Sequence, residues 1–502
     1  MTHKKSVAIV DFGTSNVRVN IVDVDNGKVM YSCLESYKMV SSKSGYTELN
    51  VEDLWSGACR CFASVMQEVR RDKQCEVSAV NFSYFGDCVI LCDENREPLY
   101  NLILAFDPRG EREAEEINGY FGEKRIIATT GSAYTWISSP AKLLWFKRNM
   151  PDLFSKVKHI FTNQQFILHK LGLEPVNDKT MGGRKSMMNI LTYRWDEEIA
   201  DYIGITTGLL GDVVESDTVV GCIEKFGDTD LGRKTPVLVG AHDCNCGLLG
   251  LGITTSTDDR VGNISGTFDH YGYFIKEYSN VKEDTQDYFL PISSVTGCMK
   301  GSTVVLGAMP SYGALVNWYM RQIYGLSAPK DHDYDTLWNS VRFDSTNSMF
   351  VCPQYNTERG IIYGLGLTKT REDIFEAIIE ALTFESKKLF LACQQQKSEK
   401  IKAVRIGGGP SKSDVWNTLR ATVMNVRFER MQNMEVSSLG SAVIAAVSTG
   451  IYSGYDEAIK NMARVGKCFE PDLSLAESYR KKFEAYTDFY RKCISMRRNK
   501  AT

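Results

Sequence analysis

Hydrophobic residues follow two alternating rhythms along this chain: short apolar runs, and longer stretches with helical spacing. Val7-Ala8-Ile9-Val10 and Val17-Arg18-Val19-Asn20-Ile21-Val22 predict two strands joined by a tight polar loop that begins at Asp11. Residues 51–71 place Leu54, Trp55, Ala58, Phe62, Val65, Met66 and Val69 on one helical face, with Asn50 positioned to cap it. Residues 77–82 and 89–92 predict strands around the break Ser83-Tyr84-Phe85-Gly86-Asp87, and Pro140 opens a helix reaching Met150. Residues 237–239 predict a buried strand ending in the polar cluster Gly240-Ala241-His242-Asp243, and the small residues of 247–252 read as a join between two halves. Beyond the join, residues 259–264, the turn Ser265-Gly266-Thr267 and residues 268–275 form a second strand–loop–strand unit that echoes the first. The last third is mostly helical, with an apolar stripe over 371–394 and a helix of small residues at 439–446 suited to close packing. Between them a strand at 404–406 runs into Gly407-Gly408-Gly409-Pro410-Ser411, and Ser413 or Asp414 caps the helix that follows. Strands and helices alternate, so the predicted class is α/β.

Composition narrows the function more than the fold. The 502 residues are 43% hydrophobic and 24% charged, which is an ordinary globular balance and enough chain for two large domains. Their expected extents are 1–246 and 247–502. A net charge of −3 with mixed signs offers no footprint for nucleic acid. No apolar run approaches a membrane span, and the first strand is too short for a secretion signal. The 14 cysteines are scattered without a paired C-x-x-C or H-E-x-x-H pattern, which predicts reduced thiols, a cytoplasmic setting and no zinc site.

The loop after the first strand carries candidate chemistry. Gly13 lets backbone approach a ligand closely, and turn amides can form an anion-binding concavity. Asp11 can hold a hydrated magnesium ion, which takes only one or two carboxylates. Together with Thr14, Ser15, Asn16 and Arg18 these parts suit a nucleotide polyphosphate. The same residues also suit an ordinary hairpin, because Gly, Asn, Ser and Thr are turn formers.

Two separated stretches resemble the diagnostic patterns of the FGGY family of carbohydrate kinases. Gly360-Ile361-Ile362-Tyr363-Gly364-Leu365, followed after seven residues by Asp373-Ile374-Phe375-Glu376-Ala377-Ile378-Ile379-Glu380, fits the carboxy-terminal pattern at every restricted position. Ser139-Pro140-Ala141-Lys142-Leu143-Leu144-Trp145-Phe146-Lys147-Arg148-Asn149 fits the amino-terminal one except at Ile137, where a small or aromatic residue is usual. The Asp11–Arg18 loop, the Gly240–Asp243 strand end, the Ser265–Thr267 turn and the Gly407–Ser413 loop fall in family order, so the similarity spans residues 6 to 490. The resemblance implies two ribonuclease-H-like domains of the actin and sugar kinase superfamily, closing over a central cleft.

It also implies roles. Asp243 is expected to be the general base that accepts the sugar hydroxyl's proton, and with the ordinary aspartate pKa of about 3.9 it is expected to be ionised at neutral pH. The helix N-cap is the plain alternative for it. Asp11 would organise Mg2+, and Gly13, Thr14, Ser15, Asn16 and Arg18 would face the phosphates of ATP. Arg18 has a second reading as the partner of a carboxylate across the hairpin. Ser265, Gly266 and Thr267 resemble the second phosphate loop. Gly407, Gly408, Gly409 and Ser411 resemble the adenosine-side loop, with Asn417 on the next helix.

Sugar recognition departs from the common pattern. Where many members carry Gln-Met-His-Gly, this chain has Ser83 to Cys88, closer to the Phe/Trp-Gly-x-Asp segment of L-fuculose and L-rhamnulose kinases. Phe85, Asp87, Asp107, Arg109 and His242 are the expected sugar contacts, although Ala105 stands where the Trp-x-Asp-x-Arg segment has its tryptophan, so an expected aromatic wall is absent. His159, His169, His270 and His332 show no ligand spacing and read as surface or packed residues. The expected activity is ATP- and magnesium-dependent phosphorylation of a free ketose or deoxyketose such as L-fuculose. Within the family the alternatives are a pentulose, a polyol such as glycerol, or an aldonate. Outside it stands an actin- or chaperone-like ATPase, and xylulokinase-like relatives are allowed. The expected partner is the small-molecule sugar, with a homodimer allowed.

Overall fold

The computed structural model describes residues 4–40, 45–72, 75–266, 268–278, 292–309, 312–353 and 360–498. Thr267 of the second expected phosphate turn lies outside them. The first apolar runs form β1 (Lys4–Phe12) and β2 (Asn16–Asp23), an antiparallel hairpin in which Asp11 faces Arg18. β3 (Val29–Ser36) extends it, and helix α1 (Val51–Arg71) carries the chain back to β4 (Cys75–Tyr84), parallel to β1. α1 starts as the sequence predicts, with Asn50 accepting the Glu52 amide.

The period-two alternation of β1 and β2 then sorts side chains between two cores. Ala8, Val10, Val17 and Val19 pack with Leu54, Ala58, Phe62 and Val65 of α1. Val7, Ile9 and Val22 face the opposite side, toward the helices at the centre of the molecule. Each large apolar side chain so buried contributes about 1.5–3 kcal/mol.

The insert after β4 carries helices α2 (Ser139–Asn149) and α3 (Lys179–Arg184), before β5 (Val219–Phe226) and β6 (Thr229–Leu238) close the sheet in the order β5-β6-β4-β1-β2-β3. A short strand, Ala241–His242, pairs with the end of β4. Helix α4 (Asp243–Gly250) follows directly, so the expected join at 247–252 begins inside a helix, as does the expected division at 246/247.

The second half repeats the plan of the first. β7 (Arg260–Ser265), β8 (Asp269–Ile275), β9 (Ile292–Thr296) and β10 (Thr303–Met309) precede helix α5 (Arg371–Gln396), β11 (Ala403–Gly407), helix α6 (Asp414–Met424), β12 (Arg427–Met431), helix α7 (Val436–Ser448) and β13 (Val465–Phe469). The sheet order is β9-β10-β8-β7-β11-β12-β13. Both halves therefore contain three antiparallel strands, the first of which lies parallel to a strand reached through a helix. This shared order supports the duplication hinted at by the two strand–loop–strand units, and the architecture is two ribonuclease-H-like domains.

Helices α4 and α7 cross between the sheets at very close range. A Cβ on Gly250 would collide with the Val436 carbonyl, and one on Gly440 with the Cys246 carbonyl. Polar ties fix α7 to the first sheet: Asn81 Nδ2 donates to the Ser441 carbonyl at 2.8 Å, Ser441 Oγ to the Phe82 carbonyl at 2.9 Å, and Asn20 Nδ2 to Ser438 Oγ at 2.9 Å. No described helix is long and apolar enough to cross a membrane.

Candidate active site

Strand register brings the site together. Asp11 stands beside Ser83 and Phe12 beside Tyr84 in the parallel β1–β4 pair, while Ala241 and His242 align with Ser83 and Tyr84 on the other side of β4. Three neighbouring parallel strands thus end at one edge and deliver Asp11, the 85–87 loop and Asp243 to one place. The carboxyl edge of such a sheet is where ligands bind in α/β folds. The Phe85 amide donates to the Phe12 carbonyl at 3.0 Å, locking that loop to the hairpin. Within the hairpin the Gly13 amide donates to the Asn16 carbonyl at 2.9 Å, and the side chains of Thr14, Ser15 and Asn16 are half-buried.

Asp243 is the first residue of α4, not its cap; that position belongs to His242. About a third of its side chain is exposed, and its Oδ1 lies 3.3 Å from His242 Nε2. Burial, then the charges of Asp11 and Asp87, push its carboxyl up to about 7. The expectation of an ordinary, fully ionised aspartate is therefore corrected: at neutral pH this group is poised between its two forms. Burial also raises Asp11, against the opposing pull of Ser83 and Arg18. His242 is held neutral far below its usual range by burial and by the charge of Arg184.

Arg18 makes its ion pair with Glu435, at the start of α7 in the other half, and also lowers Asp11 across the hairpin. The carboxylate partner of its second reading is thus real but comes chiefly from across the molecule.

Asp107 and Arg109, expected as sugar contacts, are bound to each other inside the fold. Arg109 binds both Asp107 oxygens, at 2.8 and 2.7 Å, and the Thr47 amide takes the remaining side of Asp107 at 2.6 Å. Glu48 lies 2.9 Å from Arg109, whose guanidinium stacks over Tyr46. Exposure is 0% and 3%, so the pair braces the fold from inside. Phe85 is likewise buried, its carbonyl bound by Asn163 at 3.0 Å.

Asp87 does reach the site, where Arg184 Nε meets its Oδ1 at 3.3 Å. Gly86 makes this possible, because a Cβ there would stand 2.7 Å from His242 Nε2 and 2.8 Å from Arg184 Cδ. Lys142, from the amino-terminal pattern, is buried and donates to the carbonyls of Leu104 at 2.9 Å and Asp87 at 3.4 Å, tying two loops together.

Sequence reasoning missed Arg184 and its support. Asp178 caps α3 and accepts from the Thr180 and Met181 amides, Ser216, Gln164 and the Thr180 hydroxyl. That hydroxyl in turn accepts the His242 amide at 2.8 Å, so α3 holds the backbone next to Asp243. An Asp-x-Thr start is a readable cap signal, whereas a helix of six residues has no periodicity to show what its last residue faces. His270, on β8, lies within electrostatic reach of Arg184 and His242.

In the second half Ile264 aligns with Gly407, which sets the Ser265–Gly266 turn beside the Gly407–Ser411 loop. Gly408 has a φ of +90°, and a Cβ there would strike the Ser265 carbonyl. Buried Asp269 holds the turn by accepting from Asn263 and Ser265 at 2.7 Å and from Ser386 at 2.8 Å. Gly266 and Gly409 face open space. Ser411 and Asn417 turn inward: Ser411 Oγ donates to the Gly408 carbonyl at 2.6 Å and Asn417 Nδ2 to the Ser411 carbonyl at 2.7 Å. Their side chains shape the loop from behind.

Metal ligation divides by softness. His242, Asp243 and Cys244 place ligand atoms within 4.8 Å of one another, yet the buried Cys244 thiol is pushed far up and stays protonated. Asp11 and Asp243 instead concentrate carboxylate charge in a partly enclosed edge, which suits an oxygen-seeking divalent ion.

Comparison with known proteins agrees with this architecture. The N-terminal domain of the FGGY family of carbohydrate kinases matches residues 6–250, and the C-terminal domain matches residues 283–449. Xylulose kinase of Bacillus subtilis is 25% identical over 97% of this chain and 97% of its own length. Glycerol kinase of Thermococcus gammatolerans is 25% identical over 98% of each chain. The crystal structure of gluconate kinase from Lactobacillus acidophilus superposes with a TM-score of 0.84 at 20% identity, covering 97% of this chain and 98% of that one.

Proposed function

The chain belongs to the FGGY family of carbohydrate kinases, and from that premise we propose that it moves the γ-phosphate of ATP to a hydroxyl of a free ketose or deoxyketose, such as L-fuculose. The observation that carries this reading is the meeting of Asp11, Asp87 and Asp243 at one sheet edge, with the open Gly266 and Gly409 loops supplied by the other half. Asp243 orients the acceptor hydroxyl and takes its proton as oxygen attacks the γ-phosphorus. Thr14, Ser15 and Asn16 offer side-chain donors to the phosphates from one side, while Gly13 and the Ser265–Gly266 turn let backbone come close to them. Gly407 to Gly409 leave room for the flat base. Asp11, with Asp243 near it, is the residue to hold magnesium, which when bound offsets charge on the phosphates.

The likeness to xylulose and glycerol kinases favours a second reading, in which a pentulose or a polyol occupies the same place. ADP release measured with ATP and each of D-xylulose, L-fuculose, glycerol and D-gluconate tests the proposal. Acceptor-stimulated release is expected. ATP hydrolysis indifferent to all four acceptors would favour an actin- or chaperone-like ATPase instead.

A further inference from the structure

Arg184 is the cation that the proposed mechanism does not use, and its surroundings are ordered. It ends α3, whose first turn is fixed by Asp178. Its stem fills the space that Gly86 leaves vacant, next to His242. Its Nε meets Asp87 at 3.3 Å, with side-chain exposures of 17% and 19%. Among the described residues no other side chain is bound to its terminal nitrogens. From Asp87 through Arg184 and neutral His242 to Asp243 runs a strip that alternates acceptor, donor, imidazole and acceptor, and it ends at the proposed base.

Such a strip matches the hydrogen-bonding habit of a sugar. Each hydroxyl both donates and accepts, a carboxylate only accepts, and a guanidinium only donates from a planar fork. An aspartate–arginine pair can therefore hold two neighbouring hydroxyls at once, one on each partner. Asp87 already answers the charge of Arg184, and Arg18 is engaged by Glu435, so among the described residues the strip holds no cation left over for a charged ligand. A sugar acid would bring a further carboxylate beside Asp87, where repulsion acts as a filter.

Resting on the sugar-kinase reading, we infer that Asp87 and Arg184 clamp adjacent hydroxyls of an uncharged ketose or polyol, and that Arg184 is the residue that sets this specificity. The test compares the parent, Arg184→Met and Arg184→Lys with D-xylulose, L-fuculose, glycerol and D-gluconate, reading KM and kcat for each acceptor and KM for ATP. In the parent, kcat/KM for D-gluconate is expected to be at least about tenfold below that of the best neutral acceptor. Arg184→Met is expected to raise the KM of that acceptor about tenfold or more while the KM for ATP stays within about twofold. Arg184→Lys, which keeps charge and stem but not the fork, is expected to fall between them and covers the case in which the methionine variant fails to fold. An active parent whose Arg184→Met and Arg184→Lys variants keep their acceptor KM would overturn the clamp alone, as would a parent that prefers D-gluconate. A parent inactive with all four acceptors would overturn the kinase reading of the site and the clamp with it.

Discussion

At the scale of single residues, Asp243 is governed by what burial and Asp11 do to its charge. Its folded pKa of about 7 lies above the ordinary carboxylate range, so the ionised form needed to accept a proton is lost as pH falls through about 7. The acceptor-dependent kcat/KM should therefore fall about tenfold per pH unit below that point, because it reports the free enzyme. Replacing Asp87 with asparagine removes one of the charges that raise Asp243 and releases Arg184 from its partner. Both effects favour the carboxylate, so the acid limb should move to lower pH; an unmoved limb would mean that another group controls it. Thr180 offers a separate test. Thr180→Val keeps the shape but leaves the buried His242 amide without its acceptor, which costs about 1–3 kcal/mol. The expected result is a kcat roughly tenfold lower with little change in acceptor KM, restored by Thr180→Ser, as steady-state kinetics would show.

At the scale of elements, the contact between α4 and α7 matters most, because α4 begins at Asp243 and α7 follows Glu435, the partner of Arg18. Gly440→Ala forces backbone against backbone and should destabilise the protein by about 1–3 kcal/mol or more, with activity falling alongside the melting temperature. An unchanged melting temperature would show that the helices can part freely. This contact was half legible in sequence: the small residues at 439–446 announced close packing, but the second half of their partner helix at 243–250 fell in the stretch 247–252 that read as a join. The strands and long helices were legible because alternation and helical spacing are local. The partners of Asp107 and Arg109 were not legible, because Thr47, Glu48 and Tyr46 arrive from a distant part of the chain. Arg184 was silent for the opposite reason: its helix is too short to show a pattern, and Gly86, which admits it, looks like any turn glycine.

At the scale of the whole molecule, two halves that share a core of three antiparallel strands beside a parallel one each contribute a polar turn to one cleft, and contacts such as Arg18–Glu435 and Asn20–Ser438 span them. A kinase built this way must favour a sugar hydroxyl over water, which is far more concentrated, and completing the site only when sugar is present is the means available. The most direct test of the account is the rate of ADP release from the parent and from Asp243→Asn, each with and without the preferred acceptor, under conditions where both bind ATP. The parent should be slow without acceptor and strongly stimulated by it, while Asp243→Asn should lose about 10²–10⁴-fold of the stimulated rate. Full acceptor-stimulated activity in Asp243→Asn would contradict the assignment of the base.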